Sequence, residues 1–164
     1  PGDVVLAPNP SYPIHTFGFI IAGATIRSVP TTPDEAYFAS LDRAMAFTVP
    51  RPSILVVNYP SNPTAEAVDL AFYERLVAWA KENKVPVDTF VIYTDSETWA
   101  GKVHPFQALR DYREKMGRRA KLIVVGMTSN GFSIADPNDP GQLDISGFDS
   151  AVPTLLADFS RGDV

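Results

Sequence analysis

Few residue groupings in this chain have the types and spacing that chemistry requires. His15 and His104 are the only histidines, and there is no cysteine. Thiolate nucleophiles, disulfides and Cys-ligated metals are therefore excluded. Both histidines adjoin turn or helix-start residues. Neither has a positioned nucleophile and a third orienting group, so a catalytic triad is not expected. Paired carboxylates occur at Asp34/Glu35 and at Asp136/Asp139. The first pair reads as a helix start and the second as a loop, both solvated. GMTSNG (126–131) contains glycines without the G-x-G-x-x-G spacing of a dinucleotide-binding turn. It reads as a strand-to-loop turn. Arg110, Arg113, Lys115, Arg118, Arg119 and Lys121 form one basic run. Cations at a helix C-terminus suit its dipole, so nucleic-acid binding is not the expected reading. Arg161-Gly162-Asp163 spells an adhesion tripeptide and reads as coincidence. Tyr12 and Asn62 lie in SYP and SNP segments, which are strong turn formers and could also frame a small anion.

The elements that must position these residues are legible. At 164 residues the chain is expected to be a single domain, with a core large enough to fold without a disulfide or metal. No apolar run approaches the ~18 residues that span a bilayer. PGDVVLAP lacks the basic start and apolar core of a signal peptide, so a soluble protein in an unspecified compartment is expected, suited to recombinant cytoplasmic expression. The net charge of −5 argues against a general nucleic-acid surface. Six β-rich runs recur: VVLA (4–7), TIRSV (25–29), ILVVN (54–58), TFVIYT (89–94), LIVVG (122–126) and LDISG (143–147). Several are apolar on consecutive positions, as in strands buried on both faces of a parallel sheet.

Helical patterns fill the gaps. Thr32, Pro33 and Glu35 suggest a capping box ahead of Phe38, Leu41 and Met45. Thr64 suggests the cap of a helix over 66–83 with Val68, Phe72, Leu76 and Ala80 on one face and Trp79 beside them. Pro105 opens a helix striped by Phe106, Leu109, Tyr112 and Met116 and closed by Gly117. Residues 12–22 and 151–160 are further helical candidates. Strand–helix alternation implies a parallel sheet with helices on both faces and right-handed crossovers.

Two family resemblances meet near Pro86 and Val87. GDVVLAPNPSYPIH (2–15), GATIRSVP (23–30), ILVVNYPSNPTAEAV (54–68) and FYERLVAWAKEN (72–83) resemble fold-type I, pyridoxal-phosphate-dependent aminotransferases of the alanine and LL-diaminopimelate group. That resemblance implies that Asn62 would hydrogen-bond the cofactor ring oxygen and that Tyr12 lies near the active site. Ala65 stands where the family's NPTG segment has glycine. The Asp that pairs with the pyridine nitrogen, the S-x-S-K lysine and the glycine-rich phosphate turn have no counterpart in this chain. Transimination needs that lysine.

VIYTDSETWAGKVHPFQALRDYREKMG and AKLIVVGMTSNGFSIADPNDPGQLDISGFD resemble the C-terminal von Willebrand A-type domain of Ro autoantigen (TROVE) proteins. The resemblance places Asp95 at the last ligand position of a metal-ion-dependent adhesion site. The D-x-S-x-S segment that supplies most of that site's ligands is absent. Asp144-Ile145-Ser146 is followed by Gly-Phe and lies at the wrong end. Asp95 with Ser96 and Glu97 falls short of the roughly six oxygen ligands a hard cation takes, so no metal site is expected.

Together these readings give one α/β domain over residues 1–164, with an aminotransferase-like half (1–86) and an A-type half (87–164). The expected fold is a three-layer, doubly wound parallel sheet, flavodoxin- or Rossmann-like, of strand order 2-1-3-4-5-6. Its switch-point crevice would be lined by loops 8–13, 59–64 and 95–104. The expected function is that of an engineered chimeric scaffold without evolved catalysis, resident cofactor, membrane or macromolecular partner, and monomeric. Two alternatives stay open. One is residual binding of a small anion or PLP-like ligand at Tyr12 and Asn62. The other is a weak divalent-metal or RNA-related module inherited from the A-type half.

Overall fold

The computed structural model describes residues 1–94, 104–128, 134–147 and 149–164. The chain divides into two compact units, Pro1–Trp79 and Ala80–Val164.

In the first unit, β1 (Val4–Asn9), α1 (Ile14–Ile21), β2 (Thr25–Pro30), α2 (Glu35–Phe47), β3 (Ile54–Leu55) and most of α3 (Leu70–Glu82) alternate as expected. β1 is central in a parallel sheet of order β2-β1-β3, with Val4 opposite Thr25 and Val5 opposite Ile54. Its consecutive apolar run is buried from Val4 to Pro8, as a strand flanked on both sides requires. Leu6 and Val29 pack against Tyr37, Phe38 and Leu41 of α2 and Phe72 of α3. The rings of Tyr37, Phe38, Tyr59 and Tyr73 gather around Phe72 at 5.2–5.9 Å. Edge-to-face contacts of this kind add to plain area burial.

Two helix starts differ from the sequence reading. The cap of α2 is Asp34, whose carboxylate accepts from the N–H groups of Ala36 and Tyr37. Thr32 instead donates to Glu66 at 3.1 Å. Asp is as good a cap as Thr, and here it sits two residues nearer the first turn. α3 begins at Leu70, later than expected, with Asp69 accepting from Phe72 N–H. Thr64 is occupied by Ser61 and Glu66. The expected stripe survives: Val68, Leu76 and Trp79 pack on the Phe72 cluster. Trp79 Nε1 donates to Asp42 at 2.7 Å, and Arg75 lies over the Phe38 ring while pairing with Glu35.

β3 is shorter than the ILVVN run. The ladder ends after Leu55, although Val56 N–H still reaches Leu6 O at 2.9 Å. Val57 and Tyr59 pack on the core without ladder bonds. Burial pattern and strand pairing part company here, just before Pro60.

In the second unit, β4 (Thr89–Thr94), α4 (Pro105–Met116), β5 (Lys121–Gly126), β6 (Gln142–Ser146) and α5 (Val152–Arg161) follow. The sheet is parallel, of order β4-β5-β6. β5 is apolar at every position from Leu122 to Val125 because both its faces are covered. Leu122 and Val124 pack with Leu109 and Tyr112 of α4. Ile123 and Val125 pack with Ile145 and with Phe159 of α5. Burying each of these side chains contributes roughly 1.5–3 kcal/mol. Pro105 occupies the first turn of α4, and Gly117 closes it in the left-handed region at φ 61°.

The α/β class and the orders 2-1-3 and 4-5-6 agree with the sequence reading. The expected continuous order does not: among the described residues β3 and β4 are not paired, and the strands form two three-stranded sheets. The sequence shows which runs can be strands, but no residue in them specifies a β3–β4 ladder, and β3 is only two residues long.

Candidate functional site

Parallel strands deliver their following loops to the same sheet edge, so β1 and β3 place the loops carrying Tyr12 and Asn62 along one edge. Tyr12 is exposed, with its ring 6.1 Å from that of His15. His15 Nδ1 is buried without a hydrogen-bond partner. Asn62 sits exposed at the tip of a closed loop. Ser61 N–H donates to Glu66 O and Ala65 N–H to Ser61 O, both at 2.7 Å, while Glu66 N–H reaches Ser61 Oγ at 3.2 Å. Ser61 and Thr64 bond through their hydroxyls.

Sequence reasoning missed a second tier beneath these loops. Thr31 is buried and its hydroxyl donates to Pro10 O. Tyr59 OH donates to Thr31 O at 2.6 Å. This chain ties the loop after β1, the turn after β2 and the loop after β3. Burial pushes the Tyr59 phenol up to about 12, helped by the Glu66 charge and by Tyr73. Burial also pushes Tyr37 upward. These phenols stay protonated at neutral pH and serve as donors or packing, without acid–base reach. The Thr31 and Tyr59 hydroxyls are engaged by backbone carbonyls and those of Ser61 and Thr64 by each other, which makes this a braced turn cluster. A Thr beside a proline gave no signal that it would be buried.

Ala65 takes φ 56°, a left-handed conformation that glycine adopts without strain. The NPTG glycine of the resembled family thus has a backbone reason, and this chain meets it with alanine.

At the corresponding edge of the second sheet, Asp95, Ser96 and Glu97 lie outside the described residues, as do most of loop 95–104 and residues 129–131 of GMTSNG. Met127 N–H donates to Thr94 O at 3.2 Å, and Gly147 N–H to Gly126 O at 2.8 Å. Asp144 lies within β6, and burial raises its carboxyl above the usual range. No metal-ligating cluster occurs among the described residues.

The remaining candidates are structural. Asp34 caps α2 and Glu35 pairs with Arg75 at 2.6 Å. Asp136 accepts from Asn138 N–H at 2.9 Å, and Asp139 binds Arg113. Half of the basic run is committed internally. Arg113 also donates to Ala120 O, Arg118 pairs with Asp88 at 2.7 Å, and Lys121 donates to Phe159 O at the end of α5. His104 precedes Pro105 at the start of α4 and stacks on Phe106 at 4.3 Å. Arg161 and Asp163 pair with each other at 2.8 Å across Gly162, which closes α5 at φ 89°.

Parallel sheets alternating with helices, their loops gathered at the C-terminal edge, define an α/β protein of the Rossmann and A-type class. The chain belongs to the Ro60 vWA domain family, whose model matches residues 67–160. It is similar to the RNA-binding protein RO60 of Deinococcus radiodurans, 56% identical over 88 residues, which are 54% of this chain and 17% of that protein. The chain is also similar to the putative aminotransferase AatC of Rhizobium meliloti, 50% identical over 95 residues, 58% of this chain and 24% of that protein. The glutamate-pyruvate aminotransferase AlaC of Escherichia coli is 48% identical over 94 residues, 57% of this chain and 23% of that protein. Structurally, the crystal structure of the Deinococcus radiodurans RO (RSR) protein aligns with 99% of this chain and 35% of its own, at a TM-score of 0.51 and 34% identity. The chain therefore spans between about a seventh and somewhat over a quarter of these curated relatives, and two families share it, over partly overlapping segments. The family match begins at residue 67, ahead of the seam expected at Pro86–Val87.

Proposed function

We propose that this chain is an engineered chimeric α/β scaffold, joined from an aminotransferase-like piece and an A-type piece, without catalytic activity of its own. The observation that carries this reading is the pairing of two high similarities, 56% and 50%, to fragments of two unrelated families. The chemistry supports it. The sequence has no S-x-S-K segment to offer a Schiff-base lysine, and Tyr12 and Asn62 stand exposed on loops braced for turn geometry. The residues present do not fit pyridoxal phosphate as a resident cofactor. The two pieces are read as one cooperative domain, so Leu41→Ala and Ile123→Ala should shift the same single unfolding transition.

The deciding experiment is titration with pyridoxal phosphate, followed by borohydride trapping and mass analysis. Absence of a saturable absorbance change supports the scaffold reading. A stoichiometric adduct that disappears in Asn62→Ala would replace it with residual cofactor binding, which the shared edge of the β1 and β3 loops makes the second reading. A melting temperature raised by millimolar magnesium, or RNA retention dependent on Arg110 and Arg119, would replace it with an inherited A-type module.

A further inference from the structure

We propose that the Asp136–Pro137 peptide bond is a self-cleavage site, cut in mild acid by the Asp136 carboxylate, and that Arg113 protects the matching Asp139–Pro140 bond. These are the two Asp–Pro bonds of the sequence. The nitrogen of proline belongs to a tertiary amide without an N–H, and it leaves as a secondary amine. An aspartyl carboxylate is one short side chain away from the carbonyl carbon of its own residue. Attack is therefore intramolecular and closes a five-membered ring.

The loop before β6 presents both bonds with the same hydrogen-bond pattern. Asp136 O accepts from Asp139 N–H at 3.1 Å, and Asp139 O accepts from Gln142 N–H at 2.9 Å. Each of these contacts polarises the carbonyl under attack. Asp136 Oδ1 accepts from Asn138 N–H at 2.9 Å, and Asp139 Oδ1 from Gly141 N–H at 2.8 Å. Each such turn folds the carboxylate back over the peptide bond to the following proline. The second oxygens differ. Asp139 Oδ2 accepts from Arg113 Nη1 and from Gln142 Nε2. Among the described residues Asp136 Oδ2 has no partner, while Asn138 Nδ2 adds a contact to Oδ1 at 3.4 Å. The charged group set against this loop from α4 is Arg113. From β6, Gln142 is neutral, and its Oε1 accepts from Asp136 N–H at 2.9 Å.

The reaction consumes one water. Asp136 Oδ2 bonds to the Asp136 carbonyl carbon, and the bond from that carbon to the Pro137 nitrogen breaks. The electron pair stays on the nitrogen, which takes a proton from solvent. Water then opens the cyclic anhydride, leaving two carboxyl groups on Asp136 and returning a proton. The products are residues 1–136 and 137–164. Pro137 and Asn138 are exposed, so solvent reaches the bond. At Asp139 the attacking oxygen must first give up its bonds to Arg113 and Gln142. Breaking charge-assisted bonds ahead of attack slows that cut by about tenfold or more.

Intact-mass analysis of the whole chain over days at about pH 4 tests the proposal, with circular dichroism to show that it stays folded. The folded chain should release 137–164 about tenfold or more faster than 140–164. The same chain unfolded in guanidinium at that pH should be cut at both bonds at similar rates. Pro137→Ala should abolish the first cut, and Arg113→Ala should bring the second toward the rate of the first. A folded chain that is not cut at 136–137, or is cut equally or faster at 139–140, overturns the proposal. A preference that persists unchanged in guanidinium also overturns it, because the sequence and not the Arg113 contact would then set the rates.

Discussion

Arg113 and Asp139 form an ion pair that joins α4 to the loop before β6, with both side chains about three-quarters buried, at 24% and 22% exposure. The same guanidinium donates to Ala120 O at 2.7 Å and to Gly141 O at 3.4 Å, and Gln142 Nε2 donates to Asp139 at 2.8 Å. One arginine thus fixes the end of α4, the start of β5 and the approach to β6. Arg113→Ala should cost about 2 kcal/mol in urea unfolding, from lost charge-assisted bonds and an orphaned carboxylate. Arg113→Lys should recover only part, because a point ammonium cannot span three acceptors.

The same carboxylate gives a pH dependence. Burial alone would raise Asp139, but hydrogen bonds from Gln142, Arg113 and Gly141 N–H, with the Arg113 charge, hold it below its usual 3.8. A lowered folded pKa means that the unfolded chain takes up the proton first as pH falls. The contribution is therefore present above about pH 4 and is lost progressively below it. Stability of wild type and Asp139→Asn, measured from pH 6 to pH 2.5, should converge at the acid end.

Tyr59 shows the opposite sign. Its phenol is raised from 10.0 to about 12. Between those values the unfolded state has released its proton and the folded state has not, so stability falls as pH rises from 10 toward 12. Tyr59→Phe should flatten that alkaline slope. At neutral pH it should cost about 1 kcal/mol, for the hydrogen bond lost to Thr31 O. Thermal melts in paired buffers check both.

Among the described residues, two that are not glycine sit in the left-handed region: Ala65 at φ 56° and Lys84 at φ 51°. Lys84 terminates α3, where Val85 N–H returns to Ala80 O at 2.7 Å in the six-to-one closure that usually recruits glycine. Relief of left-handed strain, roughly 1–2 kcal/mol, exceeds the entropy glycine adds to the unfolded chain, about 0.4–1 kcal/mol. Ala65→Gly and Lys84→Gly should each stabilise by about 0.5–1 kcal/mol. A lowered melting temperature in both would contradict the strain argument.

Leu41 and Ile123 are fully enclosed in their respective units. Leu41→Ala and Ile123→Ala should each cost about 2–5 kcal/mol by calorimetry or urea titration.

Periodicity and punctuation made the elements legible. The run LIVVG could only be a strand covered on both faces, and Pro105 with Gly117 bounded α4 to the residue. Caps were less legible because Thr32, Asp34 and Thr64 are all acceptable in type. Glu66 takes both threonines out of competition, Thr32 from 34 residues away and Thr64 from two. Side-chain ties between remote segments, such as Trp79 to Asp42 or Val87 N–H to Tyr112 OH at 3.0 Å, leave no local trace. Tyr12 and Asn62 were found through family likeness, while the Thr31–Tyr59 brace beneath them carries no motif.

The central position of β1 has a consequence for synthesis. β1 needs Ile54 and Leu55 to complete its second edge, and they follow it by about fifty residues. At ~5–20 residues per second, VVLAPN waits roughly 3–10 s with one side open. During that interval the nascent chain presents an apolar strand with one open edge to whatever receives it at the ribosome exit.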